Sequence, residues 1–410
     1  MARTIISSPT TISVVAQPSP PVTEWLPARG AWAQVSLNRV DTSVSGDFPP
    51  RFPSSRNMGV GGISDNFSGA IWNPHYGVLG AWVLWGGGHS QTSLENTVWI
   101  WAADTRRWIR VTAPTYPGDV PASPDWVSGD SNADFSEPLR SYGELITAGA
   151  PAASHSRYHP CILPPGNGTG PAGALAIPYQ SAFHLGGNTI SAQGHKFDFS
   201  AGRWSRLGNL DSSAESSWAS CTDSAGNVYR ADNRNLWKLP AGASMWQTIS
   251  RTGWGSVGRY GPVLYVPGLD LIAAFRLVGS ALTLFVTPAS PSSASVTQPQ
   301  MQSQGFGVSA EPDGSGAPDI GMTWCSDLGG VAIFRESTSE VWLLRPPSVS
   351  PTTAAWVWTK LASTNTPRLV RANTGVPLYN RFQYAPSLRA FLICRDISAF
   401  DMWCFRPQEI

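Results

Sequence analysis

Four apolar runs in this sequence end alike, in Val228-Tyr229-Arg230, Ala274-Phe275-Arg276, Ile333-Phe334-Arg335 and Ile393-Cys394-Arg395. Neighbouring runs begin with Arg157 and Tyr158, Arg259 and Tyr260, and Arg381 and Phe382. Guanidinium groups bind carboxylate or sulfate through paired hydrogen bonds, and aromatic rings stack on sugar faces. If the runs are equivalent strands, their arginines form an arc on one face that suits an acidic glycan. A blander reading stands beside it. Asp232, Glu336 and Asp396 lie within two residues of Arg230, Arg335 and Arg395 and could hold them in local ion pairs, whereas Arg276 has no such neighbour.

Acid/base chemistry has one candidate cluster. His89 follows Gly86-Gly87-Gly88, whose backbone freedom could hold an imidazole at a strand end, and His155 and His159 flank Arg157-Tyr158. A solvated or capping role accounts equally well for each histidine alone. Residues 113–152 form an insertion with Asp119, Asp125, Asp130, Asp134, Glu137 and Glu144 beside Trp126, Phe135 and Tyr142. Their spacing fits no EF-hand loop, so no metal is expected. Residues 301–320, rich in Gly, Ser and Gln, form a second insertion. Trp126 and Trp254 fall outside strand-like runs and are the tryptophans best suited to stacking on a sugar.

The elements that must position these groups are short strands. Only 13% of residues are charged, while 40 are Gly and 35 are Pro, which favours many strands joined by turns over helices. A formal charge of +1 supplies no field for nucleic acid or an anionic membrane. All but three of the 28 basic residues are arginine, the exceptions being Lys196, Lys238 and Lys360. Five cysteines without CxxC spacing indicate neither a disulfide framework nor zinc, although Cys394 and Cys404 could face each other across a hairpin. No run reaches membrane-spanning length and no signal-peptide core is present. The expectation is a soluble protein, virion-associated or extracellular by another route, with a cytoplasmic location as the alternative.

A strand opening with tryptophan recurs at Trp32, Trp108, Trp204, Trp246 and Trp358. Three strands precede most of its copies: 68–72, 80–85 and 96–101; then 158–163, 174–185 and 196–199; then 218–222, 227–230 and 235–239; and 322–325, 331–335 and 341–344. A further set at 260–266, 271–276 and 282–286 has no tryptophan strand, leaving the run around Val296 to serve. The last set, near 382–384, 390–394 and 400–405, ends the chain without a fourth strand, whereas the Trp32 strand has no set before it. Joining the two orphans completes a sixth four-stranded sheet and closes a ring with no open edge at the seam. The spacing therefore predicts an all-β fold, a β-propeller of six four-stranded antiparallel blades closed by an N-terminal outer strand. A seventh blade within 37–66 or 113–152 is the variant. Residues 1–28 read as an extended arm and 29–410 as one propeller domain.

Gly86-Gly87-Gly88 with Trp108, and Gly186-Gly187 with Trp204, resemble the kelch repeat of galactose-oxidase-type propellers. The Gly-Gly-Gly-His-Ser turn and the segment Tyr379 to Leu388 look like kelch-type propellers of bacteria and their phages. The copper set of galactose oxidase, Tyr and His ligands with a Cys–Tyr thioether, has no counterpart that can be placed here, so no cofactor is expected. The resemblance implies a carbohydrate- or surface-ligand-binding protein, as in a phage tail adhesin, with the arm joining particle proteins. Propeller-built polysaccharide lyases use a similar His, Tyr and Arg combination, which here would be His89, His155 and Tyr158 acting on an acidic polysaccharide. A pure assembly scaffold is the third alternative. Partners would be a glycan or cell-surface ligand, with neither nucleic acid nor membrane insertion.

Overall fold

The computed structural model describes residues 24–39, 69–85, 97–112, 158–166, 168–178, 193–209, 219–231, 235–250, 261–278, 281–289, 296–301, 320–335, 338–364, 366, 378–394 and 402–410. The strands are short and broken by turns, as the Gly and Pro content requires. An isolated strand β1 (Ala31–Gln34) comes first. The first blade holds β2 (Gly69–Asn73), β3 (Ala81–Trp85), β4 (Val98–Ala102) and β5 (Arg107–Arg110). In the second are β6 (Cys161–Leu163), β7 (Ala174–Ile177), β8 (Gln193–Asp198) and β9 (Arg203–Asn209). The third has β10 (Ala219–Thr222), β11 (Val228–Ala231), β12 (Asn235–Leu239) and β13 (Gln247–Ser250). The fourth has β14 (Val263–Val266), β15 (Leu271–Val278) and β16 (Ala281–Pro288), and the fifth β17 (Ile320–Cys325), β18 (Gly330–Arg335), β19 (Glu340–Arg345) and β20 (Val357–Lys360). The sixth has β21 (Phe382–Ala385), β22 (Ala390–Cys394) and β23 (Met402–Arg406).

Each blade is an antiparallel meander, and β1 completes the sixth by pairing with β23, Trp32 opposite Phe405. In the fourth blade the outer position is held by Thr297, which exchanges both backbone hydrogen bonds with Val286 next to Val296. The innermost strands touch in the order β2, β6, β10, β14, β17, β21 and back to β2. That ring leaves no place for a seventh blade. The chain is a six-bladed β-propeller.

The core lies between blades, where tryptophan sets the spacing. Trp108 meets Trp82 at 5.6 Å, in one apolar cluster with Met402 and Cys404 of the sixth blade. Trp204 meets Trp85 of the first blade at 5.8 Å, and Trp32 stacks on Phe405 at 5.0 Å while its edge meets Phe334 of the fifth blade. Trp246 and Trp358 join the clusters shared with the second and fourth blades. The tryptophan that marks each repeat thus packs its blade against the one before. Gly80, at φ +93°, sits where a Cβ would lie 2.4 Å from Cζ2 of Trp72, so only glycine fits that turn.

All five cysteines are buried and free, and Cys394 pairs in register with Met402, not with Cys404. The proposed hairpin disulfide is therefore absent: the register sets Cys404 opposite Leu392. The described end of the arm is docked on the propeller, with Trp25 edge-on to Trp101 at 6.0 Å and Arg106 above its ring. Among the described residues no helix is long and apolar enough to cross a membrane.

Candidate functional site in the axial channel

The six innermost strands run in one sense around the axis, as the parallel bridge between Tyr158 and Ala219 shows. Each continues through a tight turn into its second strand, so all six of these turns lie on one face. The second strands then run back toward the other face. Arg230, Arg276 and Arg335 lie toward the ends of second strands, and the arc therefore belongs to the face away from the first-to-second-strand turns.

Arg230 is fully buried with its guanidinium 6.0 Å from the Trp237 ring. Arg335 forms an ion pair with Glu340 at 3.1 Å, its register partner across the hairpin. Arg276 is half-buried opposite Thr283, and Arg381 is buried at the start of the sixth inner strand. Arg157, Arg259, Tyr260, Arg395, Trp126, Trp254, His89 and His155, together with the neighbouring Asp232, Glu336 and Asp396, lie outside the described residues. So do the insertion 113–152, most of 301–320 and the glycines of the kelch-like turns.

Tyr158 is placed unlike an exposed acid or base. It leaves the second blade and its hydroxyl lies 3.5 Å from the Ile320 carbonyl oxygen of the fifth, with its ring 5.7 Å from Tyr379 of the sixth. In a six-membered ring the second and fifth blades face each other, so the side chain crosses the axis. Tyr158 and Tyr379 are both buried.

Toward the turn face lies a cavity of about 470 Å³, walled by all six inner strands, whose lining includes Pro160 and Asn380, close to these tyrosines along the chain. Its size falls in the range that houses small molecules. Much of its polar wall stitches blade to blade. Thr222 Oγ1 donates to the Ile162 carbonyl at 3.0 Å, and the Tyr384 amide donates to Thr323 Oγ1 at 3.1 Å. The Trp72 amide donates to Gln383 Oε1, whose Nε2 donates to the Asn380 carbonyl. Ser220 Oγ donates to the His159 carbonyl.

What remains for a ligand sits at the mouth and the floor. Tyr265 and Trp324, from the fourth and fifth blades, line the mouth and stay half-exposed, with Asp223 of the third blade beside Tyr265 and His75 of the first blade on the opposite rim. Tyr265 donates to Asp270 Oδ1 at 3.2 Å; burial and the Asp270 and Asp223 charges push its phenol up to about 12. Partial burial lowers the His75 imidazole below 6.5 and favours its neutral form. Burial raises the Cys161 thiol to about 12 and lifts Cys221 well above its usual value, so the wall presents thiols, not thiolates. Asn380 Oδ1, buried on the floor, has no hydrogen-bond partner among the described residues. No arginine or lysine is in the described lining. Such a wall offers uncharged donors, acceptors and aromatic faces, with the Asp223 carboxylate at the rim.

His75, Tyr265, Trp324 and Asn380 were not among the site residues expected from sequence. Tyr265 and Trp324 share a signal, an aromatic near the end of an innermost strand just before the turn, that could have marked them.

No protein-family model matches the sequence, nor does any curated protein. Solved structures of similar fold include an α-L-arabinofuranosidase from Fusarium graminearum in complex with an iminosugar inhibitor, at 10% identity over 87% of this chain and 95% of that one, TM-score 0.48. An α-L-arabinanase from Penicillium chrysogenum with arabinobiose gives 9% identity over 83% and 98%, TM-score 0.46. A fungal alcohol oxidase in complex with copper gives 11% over 83% and 62%, TM-score 0.40. These are likenesses of fold alone, and fold does not fix function.

Proposed function

We propose that the protein binds carbohydrate, and that the axial channel takes a neutral sugar. The observation that carries this is the pair Tyr265 and Trp324, half-exposed on adjacent blades at the mouth of a cavity whose described wall has no cationic side chain. Aromatic faces pack on the C–H faces of sugar rings, while His75, Asp223 and the Tyr265 hydroxyl exchange hydrogen bonds with hydroxyl groups. An acidic glycan would bring its charge to Asp223 without a counter-charge in that wall, which opposes it. A phage-particle setting, which the kelch-like resemblance implies, adds the expectation that residues 1–28 attach the propeller to a larger assembly.

A glycan array tests the proposal. Neutral glycans should bind, and Tyr265→Ala or Trp324→Ala should each weaken them by about tenfold while the circular dichroism of the folded propeller is retained. Preference for uronate or sulfated glycans, lost in Arg276→Ala and kept in Trp324→Ala, would move the site to the arginine face and defeat the channel reading.

A further inference from the structure

Building on the proposed carbohydrate reading, we infer that the channel is a blind well that recognises the end of a glycan chain and not its interior. Tyr158, reaching from the second blade to the Ile320 carbonyl of the fifth, and Tyr379 of the sixth stand across the axis at the inner end. Both are buried, so a chain cannot thread past them. Nor can a chain lie along an open groove. The six inner strands form an unbroken wall, and the rim is tied between blades: Ser387 Oγ donates to the Leu79 carbonyl, and Arg389 Nε pairs with Asp327 at 2.9 Å. One route in remains, end-on through the mouth between Tyr265, Trp324 and His75.

The floor supplies a second, independent sign. Asn380 is 7% exposed, lines the cavity, and its Oδ1 has no hydrogen-bond partner among the described residues. A buried amide oxygen left without a donor is costly, and folded proteins rarely keep one without a ligand or water to satisfy it. Turned the other way, the amide would still present an unmatched polar atom. A hydroxyl on the terminal sugar, carried past the aromatic mouth, satisfies it. A sugar within a chain could not reach that depth, because its two glycosidic neighbours would strike the rim. Asn380 is thus the residue that distinguishes a chain end from a chain interior.

The test uses the full chain with maltopentaose, cellopentaose, laminaripentaose and linear arabinopentaose, each against its parent polymer, by titration calorimetry. For whichever series binds, affinity counted per chain end should match between pentaose and polymer. Affinity per unit mass should fall in proportion to chain length. Asn380→Ala should weaken the pentaose about fivefold to tenfold without shifting the melting temperature downward, since no group of the described residues loses a partner at Oδ1. A polymer that binds as tightly per unit mass as its pentaose, through a site still sensitive to Trp324→Ala, overturns end recognition and leaves the carbohydrate reading standing. Binding insensitive to both Tyr265→Ala and Trp324→Ala, or no binding in any series, overturns that reading and this inference with it.

Discussion

Arg335 shows how far a residue's role depends on what lies across from it. Its near neighbour in sequence, Glu336, lies outside the described residues, and the hairpin sets Arg335 opposite Glu340, four residues beyond Glu336, where an ion pair forms that sequence proximity did not suggest. Glu340 also accepts from Lys360 Nζ, Thr338 Oγ1 and Trp342 Nε1. Partial burial pushes its carboxyl up, yet the bonds from Lys360, Trp342 and Thr338 outweigh this and hold it at about 2 against an ordinary 4.5. Because the folded value is the lower one, the unfolded chain takes up the proton first as pH falls. The contribution is complete above 4.5 and fades toward 2. Glu340→Gln should cost on the order of 1 kcal/mol at neutral pH, the network being partly exposed at Lys360, and the cost should shrink on acidification. Urea denaturation across that range checks it, and a cost constant with pH would contradict the assignment. His75 obeys the opposite chemistry with the same sign. Burial disfavours its charged form, so the unfolded chain binds the proton more readily and stability falls as pH drops through 6.5 and below. His75→Gln should remove that slope, read from melting temperature against pH.

Among the elements, the inner strands differ from the rest in having no backbone ladder on their channel side. Their side-chain hydroxyls and amides do part of that work between blades. Losing the Thr323 hydroxyl would leave the buried Tyr384 amide without its acceptor, whereas losing Thr222 frees only the Ile162 carbonyl at a half-buried site that water can serve. Thr323→Val should therefore cost about 1–3 kcal/mol and Thr222→Val distinctly less, as measured by denaturant midpoint. Equal costs would mean that the stitches are incidental. The strands themselves were legible, because their apolar runs are bounded by Gly, Pro and Asp turns; β12 and β22 match the predicted runs residue for residue. Elsewhere the described strand covers only part of the run: of 174–185 it takes in Ala174–Ile177, and 179–192 lie outside the described residues. The stitches were not legible at all. Their partners are separated by 60 residues for Thr222 and Ile162 and by 311 for Trp72 and Gln383, distances over which no local pattern carries information.

At the scale of the whole molecule, the ring was readable because its seam is a counting problem: a fourth strand without a blade at one end of the chain and a blade without its fourth strand at the other. The channel was not readable in the same way. Recurrent arginines mark the ends of second strands, while the cavity is built from three to five residues of every blade, whose polar and aromatic members follow no common type. The seam carries the last prediction. Trp32 fills the space between Phe405 of its own blade and Phe334 of the fifth and is 4% exposed, so Trp32→Ala opens a hole where the two chain ends meet. A buried tryptophan truncated in this way costs about 3–5 kcal/mol. Since each blade is packed on both sides, weakening the seam should lower the stability of the entire ring and leave a single unfolding transition, monitored together by tryptophan fluorescence and far-ultraviolet circular dichroism. An early transition limited to part of the signal would show instead that the sixth blade opens by itself, and that the ring owes its stability to pairwise blade contacts without needing closure.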